Sequence, residues 1–186
     1  MLSFIIPAHN EQAWLGRCLP AIRAAMAEIE ASHEIIVVDD ASTDATASIA
    51  RSHGARVIRV EHRQISVTRN AGAKEAHGDI FLFVDADTLV TGEVIRSVLR
   101  ALGDGAAGGG CVPRFEGRLP FWFRVLYPAM VLAMRRVLHR TGGAFLFCTR
   151  RGFEATGGFS AAHYAAEEDV WVKALKRHGK FTVLAE

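Results

Sequence analysis

"EIIVVDDASTDATASIARSHGARVIRV", residues 34–60, holds a complete folding unit. "EIIVVDD" is a β-branched apolar run of strand length that ends on Asp39 and Asp40. In "TDATASIARSHG" apolar residues recur at helical spacing, with Ser42 or Thr43 placed to cap the helix and Gly54 placed to end it in left-handed backbone. "ARVIRV" is a second strand. A strand, a helix and a strand in succession predict a right-handed crossover between parallel neighbours.

The same rhythm extends both ways. "LSFIIP" precedes the unit, followed by the amphipathic "EQAWLGRCLPAIRAAMAEIEA"; after it come "ISVTRNAGAKEAHG" and the strand "DIFLFVDAD", with Gly78 expected to close the intervening helix. Near-continuous apolar strands belong to a sheet covered on both faces. Further on, "TGEVIRSVLRAL" reads as a helix, "GDGAAGGGCV" as a turn into a strand, and "FLFCTRRGFEATGGF" as a strand, a short helix and a turn. "EEDVWVKALKRHG" is a helix and "KFTVLAE" a last apolar run. The expectation is one α/β domain over 1–186, with a Rossmann-like three-layer build and a mainly parallel central sheet.

Composition narrows the function. A net charge of +2 without an arginine stripe gives no footprint for nucleic acid. Cys18, Cys111 and Cys148 are isolated, and the eight histidines lack zinc spacing, so a reducing, cytoplasmic setting is expected. "MLSFIIP" is too short and uncharged for a signal peptide. "LPFWFRVLYPAMVLAMRRVL", 119–138, is broken by Arg124 and Pro128 and does not read as a span. It suits a core helix, a dimer face or an element lying on the inner face of a membrane, with Arg135, Arg136 and Arg140 towards its end.

In open parallel sheets, ligands bind at the carboxyl ends of the strands, and the polar residues of this chain gather there: "PAHNE", "DDAS" and "DAD". On extended backbone Asp85 and Asp87 point the same way, and two such carboxylates repel unless a cation joins them. Mg²⁺ takes carboxylate oxygens and shares them with substrate phosphates. Solvated turn residues would also fit that pair. Asp39 or Asp40 is available for a base or ribose hydroxyl, while "PAHNEQ" lacks the glycines of a dinucleotide loop. Arg63 and Gln64, just ahead of a helix, are near enough for a phosphate or are ordinary loop polarity.

"SFIIPAHNE", "IIVVDDASTDAT", "TRNAGAKEAHGDIFLFVDADT", "GGF" and "EED" together resemble family 2 glycosyltransferases of the GT-A fold, over essentially the whole chain. The resemblance implies a nucleotide pocket lined by Pro7, Ala8, Asn10 and Glu11, with Asp40 on the base or ribose. It places Arg69 and Asn70 near the diphosphate and makes Asp85 and Asp87 the DxD that holds Mg²⁺ or Mn²⁺, Asp87 most directly. Asp169 takes the position of the catalytic base, Glu168 stays undecided, and Gly143 and Ala144 shape the donor-sugar or acceptor pocket. The implied reaction is inverting transfer from a nucleotide-diphosphate sugar, a UDP-sugar first, to an acceptor hydroxyl that is unknown and suits a lipid-linked molecule. Residues 1–112 form the nucleotide-sugar half and 113–186 the acceptor half. Members of the family commonly continue past the strand after "ED", so more chain is expected beyond Glu186. Two alternatives remain: a nucleotide-sugar-binding module without catalysis, and a haloacid-dehalogenase-like phosphatase using Asp85. The phosphatase pattern expects its strand near the start and a later GDxxxD, and this sequence has neither.

Overall fold

A computed structural model describes residues 1–112, 120, 123, 126, 127, 131, 132, 143–162 and 167–184. Strand β1 (Leu2–Ala8) leads through helix α1 (Gln12–Ala27) to β2 (His33–Asp40), and α2 (Thr46–Ser52) leads on to β3 (Arg56–Val60). Helix α3 (Ile65–Glu75) returns the chain to β4 (Ile80–Val84), followed by α4 (Gly92–Gly103) and β5 (Ala106–Cys111). The described chain ends with β6 (Phe145–Thr149), α5 (Arg150–Thr156), α6 (Glu167–Leu175) and β7 (Lys180–Leu184).

The seven strands form one sheet in the order β3-β2-β1-β4-β6-β5-β7. β1, β2, β3 and β4 are parallel, as the alternation of strands and helices predicts. β6 runs antiparallel to both β4 and β5, and β7 is parallel to β5. Every residue of β1 is buried, because helices cover both faces of the sheet. Phe4 and Ile6 of β1 pack with Leu15 and Leu19 of α1 and Ile95 and Val98 of α4. Ile5 points the other way, into a core with Phe83, Trp171 and Leu175. The three-layer expectation holds.

Local details differ from the expectation in three places. Neither Ser42 nor Thr43 caps α2; the Asp44 carboxylate accepts from Thr46 N at 2.9 Å instead, and Ser42 Oγ accepts from Asn10 N. Gly54 does end α2 in left-handed backbone, φ +68°. Gly78 does not: its reason is room, since a Cβ there would lie 2.7 Å from Met1 O and 2.6 Å from Ser3 Oγ. Third, β4 stops at Val84, and Thr88 N donates to Asp85 O at 2.9 Å, so "DAD" forms a turn where extended backbone was expected.

Among the described residues, no helix is long and apolar enough to cross a membrane. Within 119–138 only 120, 123, 126, 127, 131 and 132 are described, with Leu126 and Leu132 exposed and the Phe123 and Tyr127 rings stacked at 5.4 Å. The arginines expected at its end, Arg135, Arg136 and Arg140, lie outside the described residues.

Candidate active site

β1 sits between β2 and β4: the chain leaves it towards β2 and β3 on one side and returns through α3 to β4 on the other, and this reversal of direction opens a crevice at the carboxyl ends of the strands. A cleft of about 400 Å³ lies there, within the range of small-molecule sites. Pro7, Ala8, His9 and Glu11 form the β1 side, and Asp40 comes from the end of β2. Arg63, Gln64, Ile65 and Thr68, at the start of α3, form the far wall.

The Asp40 carboxylate builds that wall. Its Oδ1 accepts from His62 N (2.7 Å) and Arg63 N (2.9 Å), and its Oδ2 accepts from Thr68 Oγ1 (2.6 Å). Burial alone would push its pKa up, but these hydrogen bonds, those from Arg63 and Thr68 first, hold it below the usual aspartate value. Arg63 has φ +49°, a bend the two amide contacts keep in place. Asp39 serves its own turn by accepting from Ser42 N.

Asn10 does not line the cleft. Its Oδ1 accepts from Thr43 N at 2.9 Å, and Gln12 Oε1 accepts from Ala45 N, so the loops after β1 and β2 are stitched together. His9, which sequence reasoning passed over, lines the cleft with its Nδ1 2.6 Å from Asp40 O. A lone histidine after a strand carries no pattern that would have singled it out. Ile65 and Thr68 were passed over as well, since the helical periodicity of their segment says nothing about which turn faces a cleft.

On the β4 side, Asp85 is half-buried and Asp87 exposed. Burial raises the Asp85 pKa first; Arg69 opposes this, and the charges of Asp87 and Glu168 add to it. Glu11 is raised by burial and then by Asp87, Asp85 and Asp44. Acids from three strand ends and from α6 therefore share one field. Buried Cys18, whose thiol is pushed up to about 12 by burial and then by the same two aspartates, packs beneath them. Among the described residues no three acid, histidine or cysteine side chains form a ready cation site. Two carboxylates in a turn, short of a full cage, fit a hard cation that completes its shell with substrate phosphates.

Arg69 and Asn70, expected near the diphosphate, are both engaged within the protein. Arg69 is 1% exposed, beneath the turn, with Nη2 2.8 Å from Asp85 Oδ1 and 3.0 Å from Gly143 O. Asn70 spends its amide on Phe159, donating to its O at 2.8 Å and accepting from its N at 2.9 Å. Asp169 lies half-buried in the first turn of α6. Its neighbour Glu168 is the acid whose charge reaches Asp85, and its carboxyl group would stand 3.4 Å from a Cβ on Gly143.

Comparison with known proteins follows the same lines. A mannosyltransferase from Pyrobaculum calidifontis, solved with GDP-Man and Mn2+, superposes with a TM-score of 0.77 at 22% identity, covering 100% of this chain and 56% of that one. Staphylococcus aureus TarS, solved with UDP, gives 0.77 at 20% identity, covering 98% and 57%. The fold is that of the GT-A glycosyltransferases. The dolichol-phosphate mannosyltransferase of Pyrococcus furiosus is 34% identical over 110 residues, 56% of this chain. The chain spans only 31% of that relative's length. The model of the family described as "Glycosyl transferase family 2" matches residues 3–166, and the chain belongs to that family.

Proposed function

We propose that this chain carries the donor site and catalytic residues of an inverting glycosyltransferase that moves a sugar from a nucleotide diphosphate, uridine first, to an acceptor hydroxyl. The observation that carries the reading is the cleft at the ends of β1 and β2 beside a turn crowded with carboxylates. Solved relatives hold UDP or GDP-Man with Mn2+. In this reading the base and ribose lie between Pro7, His9 and the α3 wall, and the diphosphate faces the turn.

Asp87 and Asp85 would hold Mg²⁺ or Mn²⁺. When bound, the ion supplies positive charge against the departing diphosphate. Asp169 accepts the proton of the acceptor hydroxyl while that oxygen forms its bond to the anomeric carbon. The carbon–phosphate oxygen bond breaks on the opposite face, and the electron pair leaves with the nucleoside diphosphate. A single displacement inverts the anomeric centre.

The acceptor is, in this reading, a lipid-linked molecule, a class to which the dolichol phosphate in the Pyrococcus relative's name also belongs. The catalytic half then works at the inner face of a membrane, with 119–138 as the contact or as a dimer face.

A thermal-shift panel of nucleoside diphosphates and nucleotide sugars, with and without Mn²⁺, tests the donor site. Saturation at 100 times the dissociation constant should stabilise the fold by about 2.7 kcal/mol. A shift for UDP that requires Mn²⁺ supports the reading, and no shift with any nucleotide would remove it.

A further inference from the structure

We propose that Arg69 is the positioning residue for the Asp85 carboxylate, gripping it together with the 143–144 segment, against which Glu168 of α6 lies. The functional part of this inference rests on the reading above; the geometry does not. Three hydrogen bonds and one peptide link close a ring. Arg69 Nη2 donates to Asp85 Oδ1 at 2.8 Å and to Gly143 O at 3.0 Å, and Asp85 N donates to Ala144 O at 3.0 Å. The covalent link from Gly143 to Ala144 completes it. Asp85 is thus fixed at its side chain from α3 and at its backbone from the entry to β6.

The guanidinium has a rigid seat. Its carbon lies 5.5 Å from the centre of the Phe159 ring, which packs against Phe83 (4.9 Å) and Trp171 (4.7 Å). Asn70, the next residue, holds Phe159 by both backbone groups. Adjacent positions on α3 therefore bind the aspartate turn and the "GGF" turn as one body. An Arg side chain 2% exposed carries a desolvation cost that an apolar side chain would avoid, and Asp85, 30% exposed, is the partner that offsets it. The buried charge therefore meets an acid of the turn that stands beside the cleft. The planar fork fixes direction as well as charge, which an ammonium does not. Glu168 closes over Gly143, so the same grip sets the spacing between Asp85 and the first turn of α6.

The test uses Arg69→Lys and Arg69→Met in the full chain, with two readouts. Amide hydrogen exchange without ligand should show the Asp85 N–H exchanging about tenfold faster in both variants, with the amides of β1 and β2 unchanged. Mn²⁺ affinity with UDP present, read by electron paramagnetic resonance, should fall roughly 10–100-fold while UDP affinity without metal holds. Arg69→Lys keeps the charge opposite Asp85 and so keeps the comparison open if Arg69→Met does not fold. Unchanged exchange at Asp85, or acceleration spread evenly through β1 and β2, would overturn the positioning role. Unchanged Mn²⁺ affinity would overturn its link to the site. A wild-type chain that binds UDP but no Mn²⁺ would count against the proposed function, and the exchange data would then judge Arg69 alone.

Discussion

Asp169 starts a helix and is the base in the proposed reaction; Asp40 ends a strand and is hydrogen-bonded into the α3 wall. Asp169→Asn should leave UDP-sugar affinity unchanged and lower the single-turnover transfer rate about 10²–10⁴-fold, the usual worth of a general base. Full activity in that variant would move the base to Glu168. Asp40 acts on the fold of the α3 wall. Its pKa is held down in the folded chain, so its contribution to stability is complete above the ordinary aspartate value, near pH 4. It is lost as pH falls through the lower folded value. Glu34 adds to the same window: burial opposes the shift, but hydrogen bonds led by the one from His77 N hold it down. Urea unfolding between pH 6 and pH 3 should show this loss, and Asp40→Asn should flatten the curve. At this scale the sequence named Pro7, Ala8, Glu11, Asp40, Asp85 and Asp87 near the crevice, because strand ends are visible as the point where apolar runs stop. It could not say that Asn10 and Asn70 brace loops, or that Arg69 lies beneath the turn. Those roles depend on partners such as Thr43, Phe159 and Gly143 that are distant in sequence.

The elements of the first half were legible because each strand is an apolar β-branched run and each helix has its own apolar face. What escaped was local and depended on contacts. Asp44, in place of Ser42, serves the start of α2, since Ser42 is already engaged by Asn10. The tight seating of α3 on the sheet was also hidden. Gly72 faces β1 and β2, where a Cβ would collide with Ile5 Cγ2 and lie 2.8 Å from Val38 Cγ2. Gly72→Ala should therefore destabilise the chain by about 1–3 kcal/mol, the cost of overpacking, despite the better helix propensity of alanine. Thermal unfolding checks this, and a higher melting temperature would mean that α3 can shift outward freely. A tilt of α3 would also loosen the turn that Arg69 holds, so Mn²⁺ affinity should fall in the same variant.

For the whole molecule, alternating strands and helices predicted a largely parallel sheet, whereas the order β3-β2-β1-β4, and with it the crevice at β1, is visible only in the structure. The sequence was silent on β6 entering antiparallel beside β4, a pairing that joins residues 80–84 to 145–149. That pairing matters for function, because it brings Gly143 and Glu168 to the aspartate turn. The central claim is that a nucleoside diphosphate binds at this crevice through a cation held by Asp87 and Asp85. Isothermal titration of UDP into the wild-type chain and Asp87→Ala, each with and without Mn²⁺, tests it most directly. Wild type should bind markedly tighter with Mn²⁺, and Asp87→Ala should lose that gain while keeping its fold and its metal-free affinity. Equal Mn²⁺-dependent affinity in the two proteins would contradict the claim.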